Sequence, residues 1–201
     1  VTSIGSYAFA GCSSLISIVW NAKHCADFTS APFGNQTTTL VFGDSVEHIP
    51  AYLGYGMNKL TSVTIPNSVT SIGGRAFSNC SSLASITCEA ATPPTIGSSA
   101  FNGVSKSIPV YVPCGTVSAY NAAGGWSSFY NIQEPLAEYS IQVSTSNSSM
   151  GSARVDKNTI CGNSISATAN YGYLFVRWSD GNTDNPRHFV LTQDTTFAAE
   201  F

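Results

Sequence analysis

The apolar positions of the first 112 residues recur at a fixed spacing. Within one unit they follow the pattern L-x-x-I-x-I, as in 60–65 (LTSVTI) and 83–88 (LASITC). The alternation of apolar and polar positions at the end of this pattern predicts a short strand with one face turned inward. Residues 66–68 then predict a turn, because proline and asparagine favour bends. A second short extended piece is predicted over 69–72, and Ala76-Phe77 is predicted to be a buried anchor.

The unit repeats every 22 to 24 residues, so 1–112 holds about five copies. Residues 2–18 return at 70–86, three units later, with most of their letters unchanged. Periods of 20–50 residues are typical of solenoids, in which each unit buries its apolar face only against its neighbours. We therefore expect two ladders of short strands joined by turns, with a helical turn near Ala76-Phe77.

The stretch 68–86, SVTSIGGRAFSNCSSLASI, resembles the BspA-like leucine-rich repeat. This resemblance covers about 1–112 and implies a mainly β leucine-rich-repeat solenoid with little helix. It weakens at 21–39, where HCAD and Pro32-Phe33 replace the expected Val-x-x-Ile and Ala-Phe, and we expect an irregular unit there.

Residues 109–134 resemble the closing segment of such arrays, and we expect a cap at 113–134. A cap is needed because the last unit would otherwise expose its apolar face. Some of the covering side chains are expected to come from a short helix over 116–123. The residues that can supply this cover are Val117, Tyr120, Trp126, Phe129 and Ile132.

The repeat is followed by a short linker at 134–138 and then by a different pattern. Alternating apolar and polar positions beyond the linker predict short strands separated by turns. We therefore expect a leucine-rich-repeat domain over 1–134 and a small all-β domain over 139–201, with a β-grasp-like fold as one possibility. Residues 167–201 resemble the divergent internalin-type B-repeat of bacterial surface proteins.

Composition narrows the range of functions. The chain is 43% hydrophobic and 9% charged, with a net charge of −3. This apolar content argues against wholesale disorder, and the absence of a basic cluster argues against nucleic-acid binding. No apolar run reaches the length of about 18 residues that a membrane-spanning helix needs. The sequence opens within a repeat, so we expect any secretion or lipoprotein signal to lie upstream of Val1.

The spacing Asp180-x-Asn182-x-Asp184 is the best candidate for a metal site, because oxygen side chains two residues apart can converge on Ca²⁺. An EF-hand loop would require glutamate at its twelfth position, which is Leu191 here. A hairpin turn, which favours Asp, Gly and Asn, accounts for the same residues and is the favoured interpretation.

The three histidines, His24, His48 and His188, have no partner at helical spacing and make a poor ligand set. His24-Cys25 with Asp27 offers the residue types of a nucleophile, a base and an orienting carboxylate. Adjacent residues of an extended chain point to opposite faces, however, which favours an irregular loop. We therefore predict no catalytic residue, no metal ligand and no cofactor.

Cys12 and Cys80 occupy the same slot of the repeat, in a column with Met57 and Val104. A column shared with such residues is predicted to be apolar and buried. Slots three rungs apart should be separated by about 14–15 Å, because neighbouring strands lie about 4.8 Å apart. A disulfide needs Cα atoms at about 4.4–6.8 Å. We therefore expect Cys12 and Cys80 to be buried and not bonded to each other.

The resemblance implies a bacterial cell-surface or secreted protein that acts in non-catalytic adhesion or protein–protein interaction. Its partner would be a host protein, another microbe or a matrix component, and the chain is expected to be a monomer. A glycan-binding protein that supports polysaccharide use is the alternative, and a structural spacer is a third possibility. Exposed tyrosines in a row would favour glycans, and the candidates are Tyr7, Tyr52, Tyr55 and Tyr111. The sequence identifies no ligand-binding residue beyond these.

Overall fold

Each repeat of the sequence forms one rung of a solenoid in the computed structural model, which describes all 201 residues. The chain divides into two units, Val1–Gln133 and Glu134–Phe201. The first unit contains five rungs and a cap, and its mainly β solenoid fold confirms the expected fold class. We number the rungs 1 to 5 and give the cap last, with the bounds 1–20, 21–42, 43–65, 66–88, 89–112 and 113–133.

Short strands alternate with turns throughout the first unit. The strands are β1 Ser17–Trp20, β2 Thr39–Phe42, β3 His48–Ile49, β4 Ser62–Ile65, β5 Ser71–Ile72, β6 Ser85–Cys88, β7 Thr95–Ile96, β8 Val110–Tyr111 and β9 Ile132–Gln133. The helical segments are α1 Val117–Ala122 and a 3₁₀ helix, Trp126–Ser128. No helix has both the length and the apolar character that crossing a membrane requires.

Parallel pairing of equivalent strands builds two ladders. β1 pairs with β2, and β4, β6, β8 and β9 pair in that order, which makes the main ladder. β3, β5 and β7 form a shorter second ladder. Alternate residues of β1, β2, β4 and β6 are buried, as the apolar pattern predicts. Each fully buried Val, Leu or Ile side chain contributes about 1.5–3 kcal/mol relative to an exposed one.

The main ladder is interrupted between β2 and β4, which are not paired. The N–H of Gly43 donates to Trp20 O at 3.0 Å, and the N–H of Glu89 donates to Ile65 O at 2.9 Å. The equivalent residue of rung 4 is Pro66, which has no N–H to donate. Proline, which directly follows β4, therefore removes one of the hydrogen bonds that would join the end of β4 to the end of β2.

A third side of the solenoid consists of stacked turns at 50–57, 73–80 and 97–104, which we call the turn column. Its backbone N–H groups donate to the next rung, for example from Arg75 to Ser98 O at 3.0 Å and from Phe77 to Ala100 O at 2.8 Å. The ring of Phe77 stacks on that of Phe101 at 5.3 Å. These contacts confirm the buried Ala-Phe anchor.

The cap packs its aromatic side chains against rung 5. The hydroxyl of Tyr120 in α1 donates to Ala90 O at 2.6 Å, and the indole N–H of Trp126 donates to Pro94 O at 2.8 Å. Tyr120, Trp126 and Phe129 are buried, while Val117 and Ile132 are partly buried. The short helix expected over 116–123 is therefore confirmed as α1.

The second unit is all-β. Its strands are β10 Ile141–Thr145, β11 Gly151–Thr159, β12 Gly162–Ala169, β13 Arg177–Trp178, β14 Arg187–Phe189 and β15 Thr195–Glu200. β15 pairs in parallel with β10 and antiparallel with β13, and β12 pairs antiparallel with β11 and β14. Its core contains Ile165, Ala167, Trp178, Phe197 and Ala199, and the unit holds no helix. Its identity as an internalin-type B-repeat domain stays a prediction.

Candidate functional site

One slot of the turn column has the same unusual backbone conformation in several rungs. The residue immediately before the anchor pair has a positive φ at Tyr7 (58°), Tyr52 (61°), Arg75 (57°) and Ser99 (58°). A left-handed conformation costs a non-glycine residue roughly 1–2 kcal/mol, so the stacking of the rungs must hold it in place. The slot lies on the surface, with Tyr52 partly buried and the other three exposed.

Tyr52, Tyr55 and Arg75 form a cluster at this surface, which we call the Tyr52 cluster. The Arg75 guanidinium donates a hydrogen bond to the Tyr52 hydroxyl, and its Cζ lies 5.6 Å from the centroid of the Tyr52 ring. The rings of Tyr52 and Tyr55 are 5.5 Å apart and tilted by 46°. The cluster therefore spans rungs 3 and 4 and holds three large side chains in a defined arrangement.

The expected row of tyrosines is reduced to this one pair. Tyr7 lies in the same slot as Tyr52 but two rungs away, and the aligned residue of rung 2 is Ala31. Tyr111 is part of β8 in the main ladder and is partly buried. Only Tyr52 and Tyr55 are therefore in ring contact among the four candidates.

A chain of polar side chains crosses rungs 2, 3 and 4 on the side of the second ladder. His48 Nδ1 lies 2.7 Å from Ser71 Oγ, and His48 Nε2 lies 2.8 Å from Asp27 Oδ1. The same carboxylate oxygen accepts the N–H of Ala51 at 2.7 Å. Burial acts to raise the pKa of Asp27, but the hydrogen bonds from Ala51 and His48 outweigh it and hold this pKa below its ordinary value.

The residue types and order of this chain match those of a Ser-His-Asp triad. Four cavities of about 160 to 590 Å³ lie elsewhere in the structure, and none of them is lined by any of the three residues. The chain links the three rungs, and Asp27 supplies an acceptor to rung 3 where rung 2 is irregular. Sequence reasoning missed the chain, although the repeat register aligns His48 with Ser71 at a spacing of 23 residues.

Comparison with known families accounts for the repeat. The family model described as BspA type Leucine rich repeat region matches residues 1–108 and 33–149, in six copies. The two matches together span well over half of the 201 residues. The chain belongs to this family.

Repeats of the BspA type are a non-catalytic protein-interaction repeat and are typical of surface proteins that mediate interactions. Proteins that carry them are usually secreted or located at the cell surface. No curated protein matches the chain.

The irregular BspA-type unit keeps His24, Cys25 and Asp27 in separate environments. His24 Nδ1 lies 3.7 Å from a carboxylate oxygen of Glu47, whereas Asp27 contacts His48. Cys25 is buried, and this burial raises the pKa of its thiol, which disfavours the thiolate that a nucleophile needs. Residues 23–32 form no strand, which confirms the irregular loop.

The Asp180 segment of the second unit forms a turn. Asp180 Oδ1 accepts the N–H of Asn182 at 3.3 Å, and Asn182 Oδ1 accepts the N–H of Asp184 at 2.9 Å. Asp180 also forms an ion pair with Arg187 at 2.6 Å. Burial alone would raise the pKa of Asp180, but the contacts with Arg187 and Asn182 hold it below its ordinary value. The carboxylate of Asp180 is thus engaged by a cation of the protein itself, as the turn interpretation allows.

The expectation for the cysteine column is confirmed in part. Cys12 and Cys80 both carry free thiols, so they are not bonded to each other. Cys80 and Met57 are buried, and burial raises the pKa of the Cys80 thiol to about 12. The predicted burial of Cys12 is wrong, because no rung covers the outer side of rung 1. Cys12 instead lines an open apolar cavity of about 590 Å³ together with Phe9 and Leu15.

Proposed function

We propose that this protein is a non-catalytic adhesion or interaction protein of a bacterial cell surface, and that the Tyr52 cluster is the centre of its binding surface. The observation that carries the proposal is the contact of Arg75 with the ring and hydroxyl of Tyr52, beside Tyr55. Tyrosine and arginine are, with tryptophan, the residue types enriched at the energetic centres of protein interfaces. We take an extracellular protein as the partner.

The backbone beneath the cluster supports this assignment. The N–H of Tyr52 donates to Gly74 O at 3.1 Å, and the N–H of Arg75 donates to Ser98 O at 3.0 Å. Each strained residue is therefore held by the following rung before a partner arrives. A surface ordered in advance loses less conformational entropy on binding, which raises affinity.

A glycan is the second candidate partner, in a protein that supports polysaccharide use. The tilted pair of Tyr52 and Tyr55 rings favours it, because aromatic rings present large, rigid contact area with a polar hydroxyl at the edge. The absence of a longer tyrosine row favours the protein partner over the glycan.

Arrays of extracellular-matrix proteins and of glycans, probed with the fluorescently labelled chain, test the proposal. We expect binding to at least one matrix protein, and we expect Tyr52→Ala and Arg75→Ala each to weaken it about tenfold or more. Tyr130→Ala is the matched control for tyrosine, because Tyr130 is 83% exposed on the cap and outside the cluster. Arg154→Ala in the second unit is the control for arginine.

The outcomes separate the candidates. Binding to glycans alone, lost in the same two variants, would replace the protein partner by the glycan. Binding that is equally strong in Tyr52→Ala, Arg75→Ala and the controls would show that the cluster is not the binding surface. A hydrolytic activity that depends on His48 or Ser71 would overturn the non-catalytic assignment.

A further inference from the structure

The turn column ends at rung 5 with donors that the protein does not use. The rung 5 groups equivalent to the N–H of Arg75 and Phe77 are those of Ser99 and Phe101. Ser99 has a φ of 58° against 57° for Arg75, so the two residues share the same left-handed conformation at equivalent positions of their rungs. Neither Ser99 N–H nor Phe101 N–H has a hydrogen-bond acceptor in the protein, although Phe101 is only 4% exposed. Unpaired N–H groups at buried residues are rare in folded proteins.

The cap leaves this edge open because it continues only the main ladder. Its strand β9 pairs with β8, whereas Gly125 and Ser128 lie beside the turn column without accepting its N–H groups. A cavity of about 390 Å³ lies between the turn column and these two cap residues. Its other lining residues are 96–102 of rung 5 and Lys106. We call it the Lys106 cavity.

Lys106 brings a positive charge to this cavity without a counter-charge. Its Nζ donates to Phe101 O at 2.8 Å and lies 4.4 Å from the centroid of the Phe129 ring. No carboxylate of the protein forms an ion pair with it, and its burial lowers the pKa of the ammonium. An ammonium has three N–H donors, and the protein supplies one acceptor.

We propose that the Lys106 cavity binds a carboxylate, which accepts hydrogen bonds from the N–H groups of Ser99 and Phe101 and pairs with the Lys106 ammonium. A singly charged anion fits because the cavity offers one cation and otherwise neutral donors. Charge-assisted hydrogen bonds of this kind are stronger than neutral ones. An acidic sugar and the C-terminus of a peptide both carry this group.

The proposal goes beyond the function assigned to the Tyr52 cluster and shares no residue with it. Loss of carboxylate binding would leave interaction through the Tyr52 cluster intact, and the reverse also holds. The two proposals can therefore fail separately.

Titration of the ¹⁵N-labelled full chain, followed by NMR, tests the site. The probes are sodium glucuronate, sodium N-acetylneuraminate and acetyl-Ala-Ala, with glucose and acetyl-Ala-Ala-amide as their uncharged counterparts. We expect a carboxylate probe to shift the amide resonances of Ser99 and Phe101 saturably, with a Kd on the order of 1 mM. A response to the sugar acids or to the peptide acid alone would identify the source of the carboxylate.

Variants of Lys106 provide the control. Lys106→Gln should weaken binding about fivefold to tenfold, and Lys106→Arg should retain most of it. Lys59→Gln should have no effect, since Lys59 is exposed and contacts Gln36. Thermal melting followed by circular dichroism verifies that each variant is folded. Resonances that do not shift, or that shift equally with the uncharged probes or in Lys106→Gln, would overturn the proposal.

Discussion

Replacing Trp126 by alanine measures how strongly the cap stabilises the last rung of the solenoid. The side chain is fully buried, and its ring centroid lies 5.9 Å from that of Phe101 and 5.2 Å from that of Tyr120. Its N–H also donates to Pro94 O at 2.8 Å. Truncation therefore removes apolar contacts on two sides and leaves a buried carbonyl without its donor.

The expected loss of stability is large. A buried aromatic side chain removes about 150–250 Å² from water, which at about 25 cal/mol per Å² sets an upper bound of about 4–6 kcal/mol. Core Trp→Ala substitutions typically cost about 3–5 kcal/mol, and an unpaired acceptor adds about 1 kcal/mol. We expect Trp126→Ala to lower the free energy of unfolding by about 4 kcal/mol. Trp126→Phe, which keeps a ring but loses the N–H, should cost about 1–2 kcal/mol.

Urea unfolding followed by circular dichroism gives the free energies, and hydrogen exchange shows where the structure opens. Val110 and Val112 donate their N–H groups to Asn131 O and Gln133 O, so their amides report the contact between rung 5 and the cap. Both should exchange faster in Trp126→Ala. Trp20→Ala is the control, because Trp20 is buried in rung 1 and rungs stabilise only their neighbours. A cost below about 1 kcal/mol, or faster exchange in both variants alike, would refute the reasoning.

Two further predictions concern ionisable groups. The pKa of Asp27 is below its ordinary value, so its stabilising effect is present above that value and is lost as the pH falls below about 4. Asp27→Asn should therefore cost about 0.5–1 kcal/mol at pH 7 and almost nothing at pH 2, and an equal cost at both would contradict it. Thiol titration without reductant should detect Cys12 quickly in the native protein and the other free thiols, Cys25, Cys80 and Cys88, only after unfolding. Rapid labelling of Cys80 in the native chain would contradict its burial.

The solenoid could be predicted because the same repeated pattern identifies both the strands and the partners with which they pair. The pattern at 60–65 and 83–88 identifies strands, and the same spacing identifies which strands pair. The observed register of Val63 with Ile86 and of Ile86 with Val110 is the spacing of the repeat itself. Alternating burial then follows from the geometry of a strand.

The features that sequence reasoning missed depend on side chains from different rungs. The contact of Asp27 with His48 joins residues 21 positions apart in a unit that departs from the repeat, so no register predicts it. Arg75 and Tyr52 occupy the same slot, but their contact depends on a left-handed backbone conformation that cannot be predicted from their residue types. The exposure of Cys12 shows a limit of prediction from the repeat itself. A position in the repeat predicts burial only where a neighbouring rung covers that position.

The repeat has a glycine after isoleucine, as in Ile4-Gly5 and Ile72-Gly73. The close approach of neighbouring rungs explains this glycine, and a matched pair of variants can test the explanation. At Gly73 an added Cβ would lie 2.2 Å from Ala51 N, because rungs 3 and 4 approach closely at this slot. Backbone atoms cannot give way as a flexible side chain can, so the rungs would have to separate. Gly5 occupies the same slot in rung 1, and an added Cβ there would meet nothing within 4 Å.

We therefore expect opposite effects from the same substitution. Gly73→Ala should lower stability by about 3 kcal/mol, because overpacking that displaces backbone is costly. Gly5→Ala should be neutral or stabilising by about 0.4–1 kcal/mol, since it restricts the unfolded chain without a clash. In thermal melting, with about 2–4 °C per kcal/mol for a chain of this size, the Tm values of the two variants should differ by roughly 10 °C. Equal Tm values would mean that the glycine is not required by the approach of the rungs.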